Sequence, residues 1–143
     1  METDCLFCKI GSGLIPAKIV YQNEKVIAFL DINPAGTLQG HTLVMPKKHY
    51  TSITDCSSED LAAVMDTIKM IMPAVREISG ASGINILRNE GKVAGELIPH
   101  LHFHIMPRVE GDGIHFEENR HTASEEELKT THGKMLDYLK DKI

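Results

Sequence analysis

Between Pro99 and Pro107, His100, His102 and His104 alternate with Leu101, Phe103 and Ile105, and no other feature narrows the possible folds so far. Successive side chains of an extended chain leave on opposite faces. This segment is therefore read as a strand that buries its apolar positions and turns three imidazoles to the other side. Three readings of such a face compete. It could be a half-exposed strand whose polar positions happen to be histidine, although Thr, Lys or Glu are commoner there. It could bind metal, since imidazole is the commonest metal ligand. At about 3.3 Å per residue, however, the outer Cα atoms lie roughly 13 Å apart, so one ion takes at most two neighbouring rings and leaves a histidine over. The third reading is nucleophilic catalysis. A neutral imidazole with the right tautomer has a lone pair to attack with, and nearby donors can stabilise charge on phosphate oxygens. This reading leads.

The rest of the chain fits around that strand. AKIVY, a polar QNEK and VIAFLD read as a hairpin from Ala17 to Asp31, and HTLVMP as a third strand that Pro46 stops. Ser57 with Asp60 resembles a capping box. Leu61, Val64, Met65, Ile68, Met72 and Val75 then recur at helical spacing up to Gly80, with Pro73 expected to bend the last turns. GINILRN and LIPHLHFHIMP are the remaining strands, and Ser124 with Glu127 opens a C-terminal helix. Nothing periodic falls between Val109 and Ala123, which reads as a mobile arm. Five strands and two helices without regular alternation predict an α+β fold: a five-stranded antiparallel sheet, one long helix and a C-terminal helix. At 143 residues this is one domain, 1–143, with a core at about 5–108 and the arm and helix at 109–143.

Composition excludes several classes. A formal net charge of -5 offers no basic field for a long polyanion, so nucleic-acid binding is not expected, while a small phosphate ligand needs only local donors. METDCLFCKI lacks a secretory leader and no stretch is long enough to span a bilayer, so no membrane partner and a cytoplasmic location are expected. In a reducing compartment the close pair Cys5 and Cys8 suggests metal or redox chemistry, and Cys56 has no partner.

PHLHFHIM resembles the signature of the histidine triad (HIT) family of nucleotide hydrolases and transferases. CLFCKI, IPAKIVY, VIAFLDINP, GHTLVMPKKH and RNEG resemble that family in the expected order, over roughly residues 5 to 108, nearest to its Hint-like and bacterial and archaeal branch. The resemblance implies a hydrolase that releases a nucleoside monophosphate, AMP, from a phosphoramidate or similar purine nucleotide conjugate through a nucleotidyl-histidine at His102. The alternatives it leaves are a dinucleoside polyphosphate hydrolase and a nucleotide-binding sensor without significant catalysis.

Carried over by position, His41, His100, His102 and His104 form the catalytic set, with His104 and Asn89 on the phosphate. Asp31 matches the ribose-binding acid, and Phe7, Ile10, Phe29, Ile32 and Leu43 the walls of a base pocket. Cys5, Cys8, His49 and His100 resemble the family's structural zinc site, and no organic cofactor is implied. The family also implies a homodimer with the sheet continued across it. Two departures stand out. The loop between Asp31 and His41 is about two residues longer than in the commonest members. Glu96 and Leu97, in the substrate-binding segment, occupy positions where many members have Gln and a hydroxyl residue. A carboxylate there would repel phosphate unless protonated or turned away, and backbone N–H groups would have to replace the hydroxyl.

Overall fold

The hairpin forms where the sequence places it. Asn23 closes it: its Oδ1 accepts the N–H groups of Lys25 and Val26 at 2.8 and 2.9 Å, so a side chain stands in for backbone in the turn. In this computed structural model, which describes residues 4–116 and 119–143, the hairpin strands are β1 (Ile19–Gln22) and β2 (Val26–Leu30). Gln22 belongs to β1, so the turn is one residue shorter than the polar run. With β3 (Thr42–Pro46), β4 (Gly83–Leu87) and β5 (Phe103–Arg108) they make one antiparallel sheet in the order β1-β2-β3-β5-β4. β5 lies between β3 and β4, with His104 level with Leu43 on one side and Leu87 on the other. The last histidine of the row thus sits in the middle of the sheet.

Both faces of β2 and β3 are buried. Val26, Ala28, Val44, Phe103 and Ile105 pack against the long helix α2 (Ser58–Ser79) through Val64, Ile68, Ile71 and Val75. Ile27, Phe29, Leu43 and Met45 face the other way, onto Phe7 and Ile10. Burying each such side chain stabilises by about 1.5–3 kcal/mol before chain entropy is subtracted. Ser57 caps α2 through the Asp60 N–H at 3.1 Å, but the capping box is only half made, because the Asp60 carboxylate accepts the Tyr50 hydroxyl at 2.6 Å. Gly80, at φ +70°, ends the helix in the left-handed conformation. Pro73 lies on the solvent side, where water can satisfy the carbonyl that its missing N–H leaves over. No helix among the described residues is long and apolar enough to cross a membrane.

Four sequence expectations need correction. The helix stripe is rotated: Met65 is 45% exposed while Thr67 and Ile71 are buried. A short helix, α1 (Leu6–Gly11), precedes β1. It is too brief to show periodicity, and its cap is a cysteine, with Cys5 Sγ accepting the Cys8 N–H at 3.4 Å. The strand of the histidine row begins only at Phe103. The Leu101 N–H bonds to the Tyr50 carbonyl at 2.7 Å and the His100 carbonyl is taken by a side chain, so neither joins the ladder. The fourth correction concerns the expected mobile arm, of which residues 117–118 lie outside the described residues. Its first part is pinned: Asp112 accepts two hydrogen bonds from Arg108, at 2.7 and 3.0 Å, and the N–H groups of Val109 and Ile114. The C-terminal helix α3 (Glu125–Leu139) opens on a complete capping box of Ser124 and Glu127.

The rotated stripe is open to test. Ile68→Ala should lower the unfolding free energy by about 2–5 kcal/mol and Met65→Ala by less than about 0.5 kcal/mol, as read from urea denaturation. Equal losses would contradict the packing described.

Candidate active site

Leu101, Phe103 and Ile105 enter the core beneath α2, so the histidines between them fall on the α1 side of the sheet. There a cavity of about 340 Å³ opens, a size that suits a small ligand. Phe7, Ile10, Phe29, Asp31, Ile32, Leu43, Leu97, His102 and His104 line it, as do Leu6, Ile15, Pro16, Ala17 and Ile98. The second group was missed. Ile15–Ala17 stands in a stretch without periodicity, and Leu6 belongs to the helix that no pattern announces. The cavity is mostly apolar, with its polar groups gathered at one end. His41, His100, Asn89 and Glu96 stand behind that lining and not in it.

Hydrogen bonds fix the tautomers. His102 Nδ1 is 2.7 Å from the His100 carbonyl. A carbonyl only accepts, so Nδ1 carries the proton and Nε2 keeps its lone pair. Burial pushes His102 below the usual imidazole range, with the carbonyl contact and the charges of Glu96 and Asp31 offsetting part of the effect. The ring is neutral near pH 7. A second chain runs through His41. Its Nδ1 accepts the Ala35 N–H at 3.0 Å, which leaves the proton on Nε2, and Nε2 then donates to His104 Nδ1 at 2.8 Å. His104 therefore carries its proton on Nε2. Burial, then the neighbouring His102 and His41, lower its pKa to about 4. Of two adjacent cavity-lining rings, 5.1 Å apart, one has a bare nitrogen and the other an N–H donor.

The same reasoning separates two clusters of potential metal ligands. In Asp31, His41 and His104 the donor atoms lie within 4.8 Å of one another. Ligation through His41 Nε2 would require the proton on Nδ1, where Ala35 already donates, so this set orients the His104 ring and does not fit a metal. Cys5, Cys8, His49 and His100 also lie within 4.8 Å of one another, and here the tautomer agrees. His100 Nε2 donates to the Pro46 carbonyl at 2.8 Å, leaving the Nδ1 lone pair toward the cysteines, the outer contact usual for a ligating imidazole. Sulfur-to-nitrogen distances are 3.5 Å for Cys5–His100, 3.3 Å for Cys8–His49 and 3.5 Å for Cys8–His100. Tetrahedral zinc, with Zn–S of about 2.3 Å and Zn–N of about 2.05 Å, separates S from N by roughly 3.5 Å. The four residues fit such an ion.

Glu96 is turned away from the cavity. Its carboxylate accepts from Arg88 Nη1 at 2.7 Å and from the Gly91 N–H at 3.2 Å. Burial raises its pKa, but these bonds and the Arg88 charge outweigh that and hold the carboxyl below its ordinary value. Arg88, only 7% exposed, also reaches the Thr51 carbonyl at 3.0 Å and the Asn89 carbonyl, tying the rim loop to the start of the α2 connection. Asn89 lies against Gly95 on the inside of that loop. Asp31 is 3.6 Å from His41 Nε2, and its other oxygen accepts the Asn33 N–H at 2.8 Å.

Comparison with known proteins agrees with this architecture. The profile of the HIT domain matches residues 12–111, and the chain belongs to the HIT family. It is 45% identical over 131 residues to an uncharacterised HIT-like protein of Methanocaldococcus jannaschii, covering 90% of this chain and 99% of the relative. To the adenosine 5'-monophosphoramidase of Schizosaccharomyces pombe it is 38% identical over 104 residues, 73% of this chain and 74% of that one. Among solved structures, a Streptococcus mutans protein superposes with a TM-score of 0.89 at 34% identity, covering 97% of this chain and 87% of its own. A zinc-bound HIT protein of Mycobacterium smegmatis superposes at 0.69 with 37% identity, covering 94% and 97%. The family includes hydrolases acting on nucleotide conjugates.

Long-range proton–nitrogen NMR correlations should show His102 protonated on Nδ1, and His41 and His104 on Nε2. His102 in the opposite form would contradict the assignment, since the bare nitrogen would then face the backbone.

Proposed function

We propose that this protein is a nucleotide hydrolase that releases AMP from a phosphoramidate or a similar purine nucleotide conjugate, with His102 as nucleophile. The observation that carries the reading is the His102 tautomer: a neutral ring in the wall of the cavity, its lone pair left free by a carbonyl that can only accept. In the first step Nε2 attacks phosphorus and the bond from phosphorus to the leaving group breaks, the leaving group taking a proton from solvent that the hydrolytic water gives back in the second step. In the second, water attacks the phosphorus of the nucleotidyl-histidine, the P–N bond breaks, and AMP leaves with the neutral ring restored.

The His104 Nε2–H is the side-chain donor available to a phosphoryl oxygen. His41 backs it, and the Ala35 N–H in the longer loop orients His41 in turn. Leu97 and Ile98 line the cavity, and their N–H groups, which have no hydrogen-bond partner among the described residues, would take the place of the hydroxyl that Leu97 lacks. Asp31 accepts from the ribose hydroxyls, and the apolar walls from Phe7 to Leu43 enclose the base. Asn89 acts from behind, against Gly95. His100 serves through its carbonyl on His102 and through its ring on the metal. The Cys5, Cys8, His49 and His100 donor set is read as a structural zinc site, the ion supplying a closed cross-link and no chemistry. A homodimer joined beside β4, an edge strand with Ile86 36% exposed, completes the reading.

His102→Asn should lower kcat on an AMP phosphoramidate by on the order of 10⁴-fold while AMP still binds. A phosphoramidate bond to histidine is labile in acid and survives alkali. An alkaline quench of the unaltered protein should therefore retain labelled nucleotide, an acid quench should lose it, and the variant should trap none. Undiminished turnover in the variant would refute the assignment. Binding of AMP by the unaltered protein with no release of product in a single turnover would favour a sensor.

A further inference from the structure

Helix α1 has six residues, too few to persist alone in water, yet it serves two sites at once. Its cap Cys5 and its residue Cys8 approach the ring nitrogens of His100 and His49 at 3.5 and 3.3 Å. Leu6, Phe7 and Ile10 on the same helix are walls of the cavity. Phe7 touches the nucleophile directly: its ring centroid is 5.0 Å from that of His102 at an interplanar angle of 88°, and 5.5 Å from that of Phe29. His100 forms a second bridge, with Nδ1 on the cysteines and its carbonyl 2.7 Å from His102 Nδ1. Phe7 and His100 thus link the sulfur cluster to the cavity-lining His102.

We infer that metal capture by Cys5, Cys8, His49 and His100 builds the nucleoside cavity, so that metal and nucleotide bind cooperatively through Phe7. This rests on the reading of both sites given above. Without an ion, Cys5 and Cys8 meet His49 and His100 as thiols against imidazoles, and a thiol is a weak donor. With one, four ligand bonds cross-link the helix to the residues after β3 and before β5. A nucleoside needs the Leu6, Phe7 and Ile10 walls, so only the docked helix binds it well, and the apparent affinity scales with the docked fraction. Linkage then makes the effect mutual: nucleotide must tighten metal binding by the same factor. Zinc in this protein would be more than a static staple.

The test combines titration calorimetry of AMP onto zinc-loaded and chelator-stripped protein with zinc affinity from chelator competition, with and without saturating AMP. Stripping should weaken AMP binding by about tenfold or more, and AMP should raise zinc affinity by the same factor. Phe7→Ala keeps all four donors: zinc affinity without AMP should be little changed, AMP should bind more weakly, and the mutual factor should fall toward one. Equal AMP affinity in loaded and stripped protein, with circular dichroism showing both folded, would overturn the inference. If stripping unfolds the chain, the loaded Phe7→Ala protein decides: a zinc affinity that still responds to AMP as fully as before would overturn the proposal, and loss of the response would uphold it. Failure of the unaltered protein to bind zinc, or AMP, would sink the underlying site reading and the inference with it. Binding of both without coupling would sink the inference alone.

Discussion

The hydrogen bond from His102 Nδ1 to the His100 carbonyl, 2.7 Å long, is the constraint on which the site depends. It fixes which nitrogen of His102 is bare. The carbonyl it engages takes no part in the ladder, which starts at Phe103. The chain stays extended all the same, so alternation persists and Leu101 still reaches the core while its neighbours do not. His100, freed from the sheet, donates its own Nε2–H to Pro46 and turns Nδ1 to the cysteines. Two backbone acceptors, the carbonyls of His100 and Pro46, thus set the tautomers of two neighbouring imidazoles with opposite duties.

Electrostatically the site does without an exposed cation in its lining. The chain carries a net charge of -5, and the Glu96 carboxylate is held by Arg88 and a backbone N–H outside the cavity, which leaves Asp31 as the carboxylate in the lining. Phosphate would meet neutral rings and oriented N–H dipoles in a partly water-excluded pocket, where fixed dipoles act more strongly than they do in water. Burial is the largest cause of the lowered pKa values of His41, His102 and His104, so the same packing that shapes the cavity keeps its attacking ring uncharged. The longer loop after Asp31 has a place in this scheme, because Ala35 within it supplies the N–H that sets the tautomer of His41.

Much of this was legible in the sequence, for identifiable reasons. Alternation over His100–Ile105 determines the two faces whether or not the backbone is paired, so the orientation of the row followed from side-chain period alone. The hairpin, the long helix and the antiparallel sheet followed from equally local signals. Helix α1 did not, because six residues carry no period and its cap is a cysteine. Met65 was misplaced on the helix stripe because Met is apolar enough to fit the pattern on either side of it. The role of Arg88 was invisible: its partners Glu96, Thr51 and Asn89 are brought together only by the fold, and nothing in RNEG marks the arginine as the counterion of a carboxylate eight residues away. Nor could the sequence tell a metal set from a hydrogen-bonded orienting set among the histidines. That distinction depends on which backbone group each ring nitrogen meets.

The central claim is that a histidine, and not water, makes the first attack on phosphorus. The stereochemical course of the reaction tests it most directly. Hydrolysis of an AMP conjugate made chiral at phosphorus with sulfur and oxygen isotopes should proceed with retention, because two in-line displacements each invert the centre. Inversion would mean a single displacement by water and would contradict the account.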